Sequence, residues 1–303
     1  SPDYLGNLAP VGEIASVCHR YGVPLLVDNA HGAYLKFLPR SLHPMDLGAD
    51  LCCDSAHKTL PVLTGGAYLH MGPDWTAEEA KAAMALFGST SPSWLILQSL
   101  DGANPLLERL PGDIAALAPH IAALKGALLA HGFALVGAEP LKITVHAAKF
   151  GYSGEEMAEM LEKQGIFCEF ADRDFLVFML TPRNTPEELD RLRAALCALP
   201  RGARQEMPPV ALARPKAACT PRQAAFAPRE TIPVENSLGR ILALANVSCP
   251  PAVPIVMCGE EIDEAAQEAL RRCGIEEVTV IKASPSGVAA MQQKVGLARR
   301  SRT

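Results

Sequence analysis

Apolar side chains at Val11, Ile14, Ala15, Cys18 and Tyr21 follow a helical spacing, and Gly22 ends it. The segment "VPLLVDNAH" comes next. Its near-continuous run Val23, Leu25, Leu26, Val27 stops at Asp28, which predicts a parallel strand buried on both faces. A second run, Ala49 to Cys53, ends at Asp54 and Ser55, and a third, "GGAYLHM", begins at Gly65. Helix, strand, connection, strand, loop, strand is the rhythm of an α/β sheet.

From about Asn104 to Gly132 the pattern is helical and rich in Ala and Leu, with an interruption near Pro111 and Gly112, so one long helix or two shorter ones are expected. "LKITVHA" alternates as a strand. "SGEEMAEMLEKQGI" is a helix with Ser153 at its N-cap and Gly165 at its end, "FLVFML" is a strand, and "TPEELDRLRAALCAL" is a helix opened by Thr185 and Pro186. Together they predict a small α+β domain whose helices cover one face of a sheet. Residues 201–229 mix Pro, Ala and Arg without a period and are expected to be a linker. A last compact piece spans 230–282, with a helical segment at Ser237 to Ala245, an apolar stretch at Val253 to Met257, and the helix "EIDEAAQEALRRCG" closed by Gly274. The polar tail 283–303 is expected to be disordered.

With 303 residues, 49% of them hydrophobic, the chain can bury a substantial core. Its 28 basic and 33 acidic side chains leave a formal charge of -5, which removes the electrostatic case for nucleic acid or an anionic membrane as partner. Nine cysteines without a Cys-x-x-Cys pair argue for reduced thiols, a cytoplasmic location and no metal site. No uninterrupted apolar run of membrane-spanning length and no export signal is expected.

The chemistry concentrates where strands end. Asp28 and Lys58 each lie just beyond an apolar run, and in open α/β sheets ligands collect outside the carboxyl ends of the strands. An amine flanked by buried strands is poorly solvated as a cation, which favours the neutral nucleophile that forms Schiff bases. An acid on the neighbouring strand end can pair with a protonated pyridine nitrogen, so Asp28 and Lys58 are the minimum for a pyridoxal phosphate site. Ser55 and His57 can donate to a phosphate. Spacing alone leaves the alternative of an ordinary loop open. His43 and His70 read as structural histidines, Cys52 and Cys53 as strand packing, Trp75 and Trp94 as packing, and Glu235 equally as a helix-start acid or a functional carboxylate.

"SPDYLG", "YGVPLLVDNAHGAY", "LGADLCCDSAHKTLPVLTGGAYLH" and "GSTSPSWLILQSLD" resemble, in that order, the ornithine/lysine/arginine decarboxylase family of fold type I pyridoxal phosphate enzymes. "LKITVHAAKFGYSGEEMAEMLEKQGIFCEFADRDFLVFMLTPRNT" and "VENSLGRILALANVSCPPAVPIV" are similar to the same family's carboxyl-terminal part. The resemblance implies an α/β chain: part of an aspartate aminotransferase-like large domain at 1–103, a connector helix and small α+β domain at 104–200, and a C-terminal α/β domain at 230–282. It implies that Lys58 carries pyridoxal 5'-phosphate as a Schiff base, that Asp28 holds the ring nitrogen protonated and that His31 lies beside the ring. It also implies that Ser55 and His57 contact the phosphate, and that Ser89 and Thr90 approach the phosphate of a neighbouring subunit. Lys58 and His31 are then the candidates for proton handling.

Two features depart from the family pattern. Asn29 stands where a glutamate is usual, and the chain enters the fold after the amino-terminal region that supplies a phosphate loop and a ring stacked on the cofactor. An amino-terminally truncated chain is therefore expected. The implied activity is decarboxylation of arginine, lysine or ornithine to the amine, in polyamine or amino-acid metabolism, by a homodimer or higher homo-oligomer. Another reaction on the same cofactor, such as transamination, and an inactive or interacting remnant remain as alternatives.

Overall fold

The computed structural model describes residues 1–89, 91–203, 215–245 and 254–282. Contacts divide the chain into two compact units, Ser1–Glu206 and Met207–Thr303.

The first unit opens with α1 (Val11–Arg20) and β1 (Leu26–Asp28). Single 3-10 turns at Ala33–Phe37 and Pro44–Leu47 lead to β2 (Leu51–Asp54), the one-turn helix α2 (Ala56–Thr59) and β3 (Tyr68–Met71). β1 and β2 are parallel, with Asp28 opposite Cys53, and β3 runs antiparallel to β2, with His70 opposite Cys52. β1 is shorter than its apolar run and is not buried on both faces. Val27 packs with Val11 and Ala49, whereas Leu26 is 62% exposed, because β1 is an edge strand and the described residues cover only one face of it.

Three helices follow: α3 (Ala77–Ala85), α4 (Trp94–Leu107) and α5 (Leu110–His131). The expected interruption is real, with Pro111 in the first turn of α5, where a missing N–H costs nothing. Among the described residues α5 is the one helix long and apolar enough to cross a membrane. Its stripe Leu110, Ile114, Leu117, Ile121, Leu124, Leu128 instead lines the protein core.

The second sheet has the order β4-β5-β7-β6, with β4 (Leu135–Val136), β5 (Lys142–His146), β6 (Phe170–Ala171) and β7 (Phe175–Met179), all neighbours antiparallel. Between its strands lie α6 (Ala147–Phe150) and α7 (Gly154–Glu162), and α8 (Pro186–Cys197) follows. Capping boxes formed by Ser153 with Glu156 and by Thr185 with Glu188 start α7 and α8, as their sequences predict. The helices pack on Ile143 and Val145, while the other face of β5 meets the amino-terminal segment: Thr144 Oγ1 donates to the Leu5 carbonyl at 2.9 Å and Lys142 Nζ to the Asp3 carbonyl at 3.2 Å. One hydrophobic core joins Tyr34, Leu35, Ala56 and Leu60 to α5, α7, α8, β5 and β7. The segments 1–103 and 104–200 thus lie in a single compact unit.

In the second unit α9 (Pro221–Ala225) precedes β8 (Arg229–Pro233), and β9 (Leu242–Leu244), α10 (Glu264–Arg272) and β10 (Glu277–Ile281) complete an antiparallel sheet of order β8-β10-β9 backed by a helix. Part of the expected linker 201–229 is therefore folded, with Ala224 fully buried. The helix expected at Ser237 to Ala245 is instead β9 and a turn. Gly239 at φ +73 breaks the backbone, and Leu242 and Ala243 pack against different clusters from opposite faces of the strand. Val253 and the tail 283–303 lie outside the described residues.

Candidate active site

β1 runs directly into the turn Asp28-Asn29-Ala30-His31-Gly32. Asn29 N–H continues the ladder to the Cys53 carbonyl at 2.9 Å, Ala30 N–H binds Asp28 Oδ1 at 3.0 Å, and Gly32 N–H closes on the Asn29 carbonyl at 2.8 Å. Glycine is required at 32, since a Cβ there would lie 2.0 Å from Asn29 Oδ1. The Ser1 backbone nitrogen donates to the Asp28 carbonyl and holds this segment beside the turn.

β2 hands over to α2 at Asp54 and Ser55, which brings Lys58 to the His31 turn. Lys58 Nζ lies 3.1 Å from His31 Nε2 and 5.7 Å from the centroid of the Tyr4 ring. His31 is 4% exposed, and Tyr4 meets it edge-on with centroids 4.5 Å apart. Burial, reinforced by the ammonium groups of Lys142 and Lys58, lowers the His31 pKa to about 3, so its imidazole is neutral at ordinary pH. A neutral Nε2 can accept a hydrogen bond from Lys58.

Beneath the turn lies a buried polar cluster centred on Asp54. Asn29 Nδ2 donates to its Oδ1 at 2.8 Å, and Nε2 of His43 and of His70 reach its Oδ2 at 3.0 and 2.9 Å. His43 Nδ1 accepts from Met45 N–H, which places the ring proton on Nε2 and makes that nitrogen a donor to the carboxylate. Burial alone would raise the Asp54 pKa, but the hydrogen bonds from His43, His70 and Asn29 outweigh it and hold the carboxyl well below the usual carboxylate range. Cys52 Sγ also approaches Asp54, at 3.5 Å, and burial beside that charge pushes the thiol up. His43, Cys52 and Asp54 are within coordinating reach of one another, yet the donors and acceptors already satisfy each other.

The residues singled out in the sequence do not all converge. Lys58 and His31 touch. Asp28 stands exposed at the end of the adjacent strand, opposite Cys53. Ser55 occupies the N-cap position of α2 without capping it, and His57 Nδ1 lies 3.0 Å from the Gly66 carbonyl, leaving only its other nitrogen for a ligand. Ser89 is exposed and bonds to the Ser91 backbone, while Thr90 lies outside the described residues. Sequence reasoning missed Tyr4, Asp54 and Lys142. Tyr4 and Asp54 sat inside quoted motifs without a role, and the one signal for Lys142 was a charge opening an otherwise apolar strand.

Two family models match: "Orn/Lys/Arg decarboxylase, major domain" over residues 1–116 and "Orn/Lys/Arg decarboxylase, C-terminal domain" over residues 204–273. The chain belongs to the Orn/Lys/Arg decarboxylase family. It is 30% identical to the Bacillus subtilis protein YaaO, described as uncharacterized, over 90% of this chain and 60% of that one. It is also 30% identical to an arginine decarboxylase of B. subtilis, over 87% of this chain and 58% of that one. The chain thus spans about 60% of the length of the curated relatives it matches. Lysine decarboxylase A from Pseudomonas aeruginosa shares the fold, with a TM-score of 0.70 at 17% identity over 93% of this chain and 56% of that one. The fold is α/β, and its first part is of the aspartate aminotransferase-like type.

The family implies pyridoxal phosphate, and the donor set fits that group. Lys58 Nζ makes no salt bridge among the described residues and faces a neutral imidazole, His31 Nδ1 is buried without a hydrogen-bond partner, and the Asp28 carboxylate is open on the neighbouring strand end.

Proposed function

We propose that this chain contributes the cofactor lysine of a pyridoxal phosphate-dependent decarboxylase acting on a basic amino acid: arginine, lysine or ornithine. The observation that carries this reading is the 3.1 Å contact between Lys58 Nζ and His31 Nε2, next to Asp28 at the carboxyl end of a parallel strand pair. When bound, pyridoxal phosphate supplies the electron sink for the pair left behind as CO2 departs. Lys58 would hold the cofactor through its amine, Asp28 would pair with its ring nitrogen, and Ser55 with the second nitrogen of His57 would hold its phosphate. His31, neutral at Nε2, orients the Lys58 amine and receives its hydrogen bond.

The relatives named arginine decarboxylase, 30% identical to this chain, support the basic substrate class. The exposed apolar side chains Leu86, Phe87, Trp94 and Leu95 support a homo-oligomer that covers them. The test is to load the protein with pyridoxal phosphate and supply each of the three amino acids. Release of CO2 with agmatine, cadaverine or putrescine is expected. Ketoacid formation, or cofactor that borohydride fixes to a residue other than Lys58, would overturn the assignment.

A further inference from the structure

We propose that Lys142 is a positioning residue for the candidate site: its buried ammonium, anchored on Glu139, holds Tyr4 against His31 and so sets the imidazole that faces Lys58. Lys142 opens β5 in the second sheet, far along the chain from the Lys58 motif. Its side chain is 1% exposed and that of Glu139 2%, with Nζ and Oε2 2.9 Å apart. The carboxylate is fixed from its other side as well, because Tyr34 Oη donates to Oε1 at 3.1 Å. Lys142 is therefore held by the Glu139 carboxyl, which burial pushes above the usual carboxylate range, and has two remaining tasks. It donates to the Asp3 carbonyl at 3.2 Å and lies 5.9 Å from the Tyr4 ring centroid. The amino-terminal segment packs tightly on this pair: a Cβ at Gly6 would come within 3.3 Å of both Glu139 Cβ and Lys142 Cδ.

The Tyr4 ring centroid is thus 5.7 Å from Lys58 Nζ and 5.9 Å from Lys142 Nζ, and the ring meets His31 edge-on. The charged side chains facing His31 are Lys58 from α2, Lys142 from β5 and Asp3 from the amino-terminal segment. Only Asp3 favours a proton on the imidazole. A like charge fixed in a buried site acts over several ångströms with little screening, so Lys142 helps to deny His31 a proton without touching it. An imidazolium could not accept a hydrogen bond from the Lys58 ammonium. The functional weight of this arrangement rests on Lys58 being the cofactor lysine, but the electrostatic arrangement itself does not.

The test follows the imidazole by NMR in the full chain labelled at its 8 histidines, with the His31 signal assigned by its loss in His31→Gln. In the parent, His31 stays neutral on acidification towards about pH 3. The double variant E139Q/K142M removes both charges and leaves groups of similar size. Its His31 midpoint is expected to rise above about 3, while burial still holds it below 6.5, and the Tyr4–His31 ring cross-peaks to weaken. An unchanged midpoint in the folded double variant overturns the proposal. Should that variant not fold, Glu139→Gln alone retains the ammonium and is expected to leave His31 neutral; a rise there overturns the proposal too. Lys36→Met removes an exposed cation paired with Asp46 and is expected to leave the midpoint in place, and an equal rise there would again overturn it. Borohydride trapping of pyridoxal phosphate on Lys58 in the parent separates the two readings. Trapping without the His31 shift defeats the role of Lys142 alone, and the shift without trapping defeats only the cofactor reading.

Discussion

The two sheets of the first unit start from similar apolar runs and reach opposite environments. In β5 the residues Lys142 to Val145 are all buried, with helices on one face and the amino-terminal segment on the other. In β1 only Val27 is buried, while Leu26, Asp28 and the neighbouring Cys53 are exposed. The open sheet carries the candidate groups Asp28 and, past β2, Lys58, and the closed sheet is packed on both faces. Lys142 and Glu139 lie at the seam, where a packed strand reaches the segment that presses on His31. A site needs accessible reacting atoms on a stiff support, and here the two requirements are divided between two sheets.

Changes on each side of that division should differ in kind. Lys58→Ala is expected to abolish cofactor trapping and to lower decarboxylation by on the order of a thousandfold or more, the scale on which loss of a catalytic nucleophile registers. The melting temperature should hardly move, which a thermal scan beside a CO2-release assay would check. Ile143→Ala, in the closed sheet, should do the reverse and cost about 2–5 kcal/mol of stability in urea titrations, because Ile143 is fully buried and its neighbours cannot close the cavity.

Asp54→Asn should fall between them, at about 1–3 kcal/mol, since an amide cannot serve two imidazoles and Asn29 as one carboxylate does. The same variant sharpens the pH dependence. The folded Asp54 carboxyl is held below its ordinary 3.8, so its stabilisation is complete above that value and is lost as pH falls through it and below. His31 adds a second acid-side loss. Its folded pKa of about 3 against the ordinary 6.5 means that the unfolded chain gains the proton first, and stability declines as pH drops from 6.5 towards 3. In Asp54→Asn the first slope should vanish and the second remain, as denaturant melts at successive pH values would show. Leu26→Ala should have the smallest effect, within about 0.5 kcal/mol. A loss as large as that of Ile143→Ala would mean that the outer face of β1 is covered in the protein as it exists in solution.

The legible parts of this chain were local. The caps Ser153 and Thr185 and the stop at Gly165 are written in neighbouring residues and emerge where they are written. Lys58 and Asp28 were visible because a charge at the end of an apolar run is unusual, and the structure brings Lys58 against His31. The run around Ile241 to Ala245 was misleading for the same local reason: its apolar residues fit helix and strand alike, and pairing with β10 decided between them. The exposure of β1 was equally invisible, because an apolar run shows that a strand belongs in a sheet and says nothing of how many faces are covered.

By itself the sequence determined the family, the candidate lysine with its neighbouring acid, the starts of α7 and α8 and the stop of α7, since all of these depend on residues a few positions apart. The tertiary structure alone decided that Asp54 gathers Asn29, His43 and His70, and that Lys142 and Tyr4 stand beside His31. Tyr4 and Lys142 are 138 positions apart in the chain and joined in the fold. Coulomb interactions and ring packing depend on separation in space, which no spacing along a chain encodes.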